Sequence, residues 1–357
     1  MQNKIPKSLV LAFCINACYA GSISFDGIGE TVSSSGSIPD RYWYRDWYEV
    51  DGIRYLSRPN DHQKAWQEIK VLEAGNVTEG NGKTSTLLAK KIILSGKGNS
   101  MSLVSAAGGN SIINIGLTDA YVNDLEIRGR GTQSAEGVIV SGHGGAYGGF
   151  KNDQINIFAD YANLSLTDPQ EGLAYPTDVV LASGYTSIDS GINVHVNKRL
   201  EINGHIANGF LTHFVDRKNV FAFSKGFYIS INEGDQKLAD VIINGDIYSG
   251  NREGYDRNLT NIIFKTANSI FTGKVEDHYN YQAGFATAIE KAGTQGTHLY
   301  FDNSARWNMT SDSRVTDLKL NNGATVNLVY GRSSEDAYRT LEIINLYGRG
   351  GVSSISD

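Results

Sequence analysis

Leu200-Glu201-Ile202-Asn203-Gly204-His205-Ile206 is echoed further along the chain by Val241-Ile242-Ile243-Asn244-Gly245-Asp246-Ile247. Ser269-Ile270-Phe271-Thr272-Gly273-Lys274-Val275 repeats the pattern more loosely, and Ile92-Ile93-Leu94-Ser95-Gly96 and Leu125-Glu126-Ile127-Arg128-Gly129 are earlier relatives. In each, apolar residues at alternate positions predict a strand with one buried side. The glycine then lets the chain change direction sharply before a second short strand. The glycines lie 33 residues apart from Gly96 to Gly129, 41 from Gly204 to Gly245 and 28 from Gly245 to Gly273. A constant strand–turn–strand unit at uneven spacing predicts a coiled solenoid with loops of variable length. The expected fold is therefore all-β, a right-handed parallel β-helix with an N-terminal cap, and the alternative is an antiparallel β-sandwich. At about 20–25 residues per coil, the chain makes roughly a dozen coils and, at about 4.8 Å per coil, a rod of roughly 50–60 Å.

Composition agrees with many paired strands. Glycine is 40 of 357 residues and proline only 5. Glycine supplies turns, whereas proline would remove ladder hydrogen bonds. With 19 Tyr and 13 Phe, the chain has ample material for a core. A net charge of −6 without basic runs argues against nucleic acid or anionic membrane as partners.

The first twenty residues read as a secretory signal: Lys4 and Lys7, the apolar run Ser8 to Ile15, and the small-residue exit Ala17-Cys18-Tyr19-Ala20. The run is too short to anchor in a bilayer. Asn16 makes a poor lipoprotein box around Cys18. Both cysteines, Cys14 and Cys18, fall inside this segment, so the exported chain has none and carries a charge of −8 once the two lysines are lost. Residues 21–86 differ in composition. Arg41-Tyr42-Trp43-Tyr44-Arg45-Asp46-Trp47-Tyr48 crowds five aromatics among three charges. Asn60 with Gln63 suggests a capping box for a short helix with Ala65, Trp66, Ile69 and Leu72 on one face, ended by Gly75. This region is expected to plug the open end of the solenoid, which otherwise exposes strand edges. The competing reading of the aromatic cluster is a platform for sugars or a host surface.

Motifs for chemistry are sparse. Gly80-Asn81-Gly82-Lys83-Thr84 has Val77 where a phosphate loop needs glycine. Gly142-His143-Gly144 is one element of the polygalacturonase set, without the paired aspartates that glycoside hydrolysis requires. No nucleophile elbow occurs. The seven histidines (62, 143, 195, 205, 213, 278 and 298) show no metal-ligand spacing and are expected in exposed loops. These readings predict no enzyme, no cofactor and no metal.

The tail carries the most specific signal. It runs Ala305-Arg306-Trp307-Asn308-Met309-Thr310-Ser311-Asp312-Ser313-Arg314-Val315-Thr316-Asp317-Leu318-Lys319-Leu320-Asn321-Asn322-Gly323-Ala324-Thr325-Val326-Asn327-Leu328, closed by Thr340-Leu341-Glu342-Ile343-Ile344-Asn345-Leu346-Tyr347-Gly348-Arg349-Gly350. This segment resembles the autochaperone of pertactin-type autotransporter passengers, whose last coils nucleate folding as the chain emerges from the outer membrane. The resemblance implies that Trp307 seats in the core of that nucleus and that Val315, Leu318, Leu320, Val326 and Leu328 form its inward strands. It also implies that Gly323 makes a turn and that Leu341, Ile343, Leu346 and Gly348 belong to the next coil. None of these roles is catalytic.

The expected division is a signal at 1–20, a cap at 21–86, a β-helical passenger at 87–298 and autochaperone-like coils at 299–357. The resemblance implies an outer-membrane β-barrel translocator as partner, which these 357 residues do not contain, so a truncated passenger is expected. Such a chain is displayed at the surface if a barrel is supplied and is otherwise periplasmic. The expected role is that of a monomeric, adhesin-like passenger for a host-surface or carbohydrate ligand, through loops 141–153, 249–258 and 276–296. The alternatives are a β-helical carbohydrate-active enzyme and an inert fragment.

Overall fold

Short β-branched runs in this chain pair with the run one coil away, so each strand finds its neighbour along the rod axis. The structure, a computed structural model, describes residues 22–26, 45–50, 53–59, 72–74, 84–88, 90–97, 103–106, 109–130, 137–142, 152–167, 179–183, 189–208, 227–234, 238–249, 259–277, 296–328, 339–348 and 351–353. Every regular element among them is a strand, and the strands stack into three parallel ladders. The fold is a parallel β-helix.

Face A is built from Thr84–Leu87, Ile112–Ile115, the first halves of Gln154–Thr167 and Gly191–Asn203, then Tyr228–Ile231, Leu259–Phe264 and Gly296–Phe301. It ends on the second halves of Ser313–Leu320 and Leu341–Gly348. Face B continues each coil, from Ser22–Asp26 and Lys91–Lys97 through Asp240–Asn244 and Ile270–Gly273 to Arg306–Met309, Thr325–Asn327 and Gly351–Ser353. Face C runs from Leu72–Ala74 and Val104–Ala106 through His205–Asn208 and Ile247–Ser249 to Val275–Asp277. Among the described residues, antiparallel pairing is confined to Arg45–Val50 with Ile53–Pro59, Ile53–Pro59 with Leu72–Ala74, and the isolated bridge Leu117–Ala120. The sandwich alternative fails on this point.

Alternation within each strand turns one side inward. The row Leu87, Ile115, Ile157, Val194, Ile231, Ile262, Leu299 and Leu318 runs in register along face A, each residue at most 1% exposed. Each such side chain contributes about 1.5–3 kcal/mol on burial, so the stack supplies stability rung by rung.

Among the described residues, the rungs are fewer and longer than expected. Ile113 pairs with Ile155 across a long coil, whereas Leu299 pairs with Leu318 across one less than half that length. Face A shows nine rungs, which at about 4.8 Å per step span about 38 Å. In the sequence, the longest stretches between strands fall from Asn208 to Phe227 and from Asp277 to Gly296, each after a face C strand and before the next face A strand.

The repeated glycines play two roles. Gly204 and Gly245 sit at the corner between faces B and C with φ of 133° and 153°. A Cβ on Gly245 would fall 2.2 Å from the Gly204 carbonyl oxygen, and one on Gly273 2.1 Å from that of Gly245. Gly96 and Gly129 instead pair with each other inside Lys91–Lys97 and Val122–Arg130, so those two relatives of the repeat do not turn at their glycine.

The signal at 1–20, the helix positions Asn60, Gln63, Ala65, Trp66 and Ile69, and most of the loops 141–153, 249–258 and 276–296 lie outside the described residues. Leu72 is described, and it is not helical. It opens the strand Leu72–Ala74, which pairs with Val104–Ala106, so ladder pairing overrides the local helical pattern. Strands at 22–26, 72–74 and 84–87 join the ladders ahead of residue 87, and the hairpin Arg45–Val50/Ile53–Pro59 attaches to them through Leu72–Ala74.

Candidate functional site

The nine rungs of face A place one outward side chain per rung in a line: Thr86, Asn114, Asn156, Asn193, Ser230, Asn261, His298, Asp317 and Asn345. In the first half the line is an amide ladder. Asn114 Nδ2 donates to Thr86 Oγ1 at 3.3 Å, Asn156 Nδ2 to Asn114 Oδ1 at 3.0 Å, and Asn193 Nδ2 to Asn156 Oδ1 at 2.9 Å. The parallel rung spacing suits an amide that donates to one neighbour and accepts from the other. Asn156→Ala should cost about 1 kcal/mol, read as a lower urea midpoint with an unchanged slope.

Towards the C-terminal end an imidazole and a carboxylate enter the same line. Asn345 Nδ2 donates to Asp317 Oδ1 at 2.8 Å, and His298 Nε2 lies 3.6 Å from Asp317 Oδ2. A second outward line runs beside it through Ile263, Tyr300, Lys319 and Tyr347. Lys319 Nζ sits 4.8 Å from the centre of the Tyr300 ring, a cation–π distance. Between the two lines lies a shallow groove of about 440 Å³, walled by Asn261, His298, Tyr300, Asp317, Lys319 and Tyr347. This is the candidate site.

One edge of the groove is braced by two stacked turns. Asn303 and Ser304 in one, and Asn322 and Gly323 in the other, all have positive φ, which gives two type I′-like turns. Asn322 Nδ2 donates to Asp302 Oδ1 at 2.6 Å, and Tyr300 Oη donates to Asp302 Oδ2 at 2.7 Å. Burial and the neighbouring Asp302 carboxylate push the Tyr300 phenol above its ordinary value, so it remains a protonated donor through neutral pH. Burial disfavours ionised Asp302, but hydrogen bonds from Tyr300, Asn322 and the Asn303 N–H outweigh it, and the carboxyl lies below its ordinary 3.8. A depressed folded value means that Asp302 stabilises above the ordinary range and loses this as pH falls through the lower folded value. Asp302→Asn should therefore flatten the acid limb of Tm against pH below about pH 4.

The residues singled out at the tail are placed as follows. Trp307, Val315, Leu318, Leu320 and Val326 are buried. The Trp307 indole stacks on Phe271 at 5.4 Å and lies parallel to Phe301 at 6.4 Å, and its Nε1 donates to the Gly273 carbonyl at 2.9 Å. Gly323 is in the turn. Leu341 and Ile343 are partly buried against the core, as is Leu328, which follows Thr325–Asn327 in a turn. Leu346 lies one coil beyond Leu318. It stacks over Leu318 in the interior row but is 57% exposed, because no described rung covers it. Gly348 is also exposed, with φ of 105°, and a Cβ there would fall 2.0 Å from the Leu320 carbonyl oxygen.

The histidine expectation fails for all three described histidines. His195 lies in Gly191–Asn203 with its ring stacked on Phe158 at 5.1 Å, His205 lies edge-on to Tyr248 at 5.4 Å, and His298 joins the groove. Strand alternation carries them outward onto the faces, half-buried between rungs. His143 and Gly144 lie outside the described residues. Among the described residues no group of three His, Cys, Asp or Glu comes close enough to hold a metal ion.

Sequence reasoning missed both the amide ladder and the groove. The recurring triplets Ile113-Asn114-Ile115, Ile155-Asn156-Ile157 and Ile192-Asn193-Val194 were a readable signal for the ladder. The groove left none, since its residues come from separate coils of unequal length and meet only through the rung register. The geometry defines a parallel β-helix with a polar, aromatic-edged groove. Compared with known proteins, the chain matches no family model, no curated protein and no solved structure.

Proposed function

We propose that the chain is a non-enzymatic passenger of the autotransporter kind, exported through a β-barrel translocator, with an adhesive outward surface. The observation that carries this reading is the aromatic core of the last rungs. Phe264 and Phe301 stack at 4.4 Å, and Trp307 lies beside Phe271 and Phe301. The shortest coil of face A, from Leu299 to Leu318, runs through this cluster. Short loops lower the closure cost of a coil, and in a one-dimensional stack the first coil is the hard one to form. A dense, short-looped end is where folding is best seeded.

Adhesion is supported by the groove and by one edge of the rod. Ser141, Ser183, Asn208, Ser249 and Asp277, the last residues of their face C strands, stand in one register column. In the sequence, each is followed by a segment of several residues or more before the next face A strand. The enzyme alternative needs two carboxylates across a bond. The groove wall has one, Asp317, already engaged by His298 and Asn345.

Limited proteolysis along a urea gradient tests the folding half of this reading. The expected result is that the longest-lived fragment spans 259–348. A longest-lived fragment from residues 84–203 would overturn it. For the adhesive half, the exported protein is expected to bind cultured host cells saturably, and a lack of binding would remove that role.

A further inference from the structure

We propose that the face A groove binds an acidic oligosaccharide, a short run of pyranose rings carrying carboxylates, laid along the rod axis. The proposal rests on the adhesive reading and names the ligand class for it.

Tyr300 and Tyr347 stand two rungs apart, about 10 Å, the span of two linked sugar rings. Tyr347 is 51% exposed, so its ring offers an apolar edge and plane in the groove wall. Along the other wall, the Asp317 carboxylate is held in place by Asn345 and His298, and Asn261 follows at the far end. A carboxylate has about four acceptor positions, so Asp317 can take further hydrogen bonds from a ligand while staying fixed. Sugar hydroxyls both donate and accept, which matches a wall alternating amide, imidazole, carboxylate and amide. Lys319 places an ammonium between the two tyrosines, where a ligand carboxylate could replace water.

Other occupants fit less well. Face A strands at Leu259–Phe264, Gly296–Phe301 and Ser313–Leu320 are hydrogen-bonded on both sides, so an added peptide strand finds no free edge there. The earlier rungs of the same face serve as an internal contrast. There the amides satisfy one another, whereas from His298 onward the outward line carries an imidazole and a carboxylate and is flanked by phenols.

Calorimetric titration of the exported protein with a hexuronic acid tetrasaccharide and the neutral hexose tetrasaccharide of the same linkage tests this. The expected result is saturable uronate binding at least tenfold tighter than neutral binding. Lys319→Met should cut uronate affinity about tenfold and leave neutral affinity unchanged. Tyr347→Ala should weaken both about tenfold. Asn156→Ala, on the same face but outside the groove, should change neither. Circular dichroism melting checks each fold, and the exposed Lys319 keeps the proposal testable if Tyr347→Ala melts early. Absence of saturable binding, equal affinity for the two sugars, or indifference to both groove variants would overturn it. Cell binding separates the two readings. Adhesion without saturable uronate binding overturns the groove proposal alone, whereas uronate binding without any adhesion removes the adhesive role and supports the groove.

Discussion

Trp307→Ala should lower the stability of the C-terminal rungs by about 3–5 kcal/mol, the largest single effect expected in this chain. The indole is 0% exposed, and Phe271 and Phe301 lie parallel to it on two sides. Truncation removes those contacts, leaves a cavity, and takes from the Gly273 carbonyl the indole N–H it accepts. The surroundings cannot collapse freely, since Phe271 and Val326 are pinned in register above and below. Because each rung touches only its neighbours, the loss should appear as early melting of residues 296–348 rather than uniform weakening. Hydrogen exchange would show protection lost there first. Trp307→Phe should restore most of the packing and cost only the hydrogen bond, about 1 kcal/mol. A loss below about 1 kcal/mol for the alanine variant would mean that these aromatics do not act as a unit.

Gly245→Val should be nearly as damaging, at about 2–5 kcal/mol from backbone strain and overpacking together. Two independent obstacles meet there. The backbone φ of 153° is one that side-chain-bearing residues rarely adopt, and the new Cβ would meet the Gly204 carbonyl oxygen at 2.2 Å. Relief would require pulling the rungs apart, which breaks the bonds from Gly204 N to Asn244 O and from Gly245 N to Thr272 O. Gly234→Val makes the comparison, since a Cβ at Gly234 meets nothing within 4 Å although φ there is 72°. That variant isolates the backbone cost. Similar melting temperatures for the two would show that the close approach at the corner contributes nothing.

The two variants also mark where sequence reasoning succeeds. Trp307, Val315, Leu318 and Val326 could be expected inside because alternation about a lone late tryptophan is a local pattern. Gly204 and Gly245 could be placed at turns because each ends a period-2 run. Gly96 and Gly129 look the same locally, yet they lie within long strands, paired with each other. Nothing in so short a stretch says whether the chain turns at a glycine or runs through it. That outcome depends on what packs around it, here Val138 of the same coil and Leu166 of the next against Gly129. The histidines failed for a related reason, because a polar residue at an outward strand position reads like a loop residue until its neighbours along the axis are known.

Local chemistry, then, was enough to specify the kind of object this chain makes. Alternating β-branched runs, abundant glycine and scarce proline leave little choice but paired strands with sharp corners, because the side-chain period and the φ preferences act within a few residues. What could not be read there is the vertical register. It decides which asparagine sits over which and how many rungs there are. It also brings Tyr300, Lys319 and Tyr347 into one groove with His298 and Asp317, although coil lengths along the rod differ more than twofold. That register is chosen when whole rungs compete to bury their apolar rows, and the energy that decides it exists only in the assembled stack.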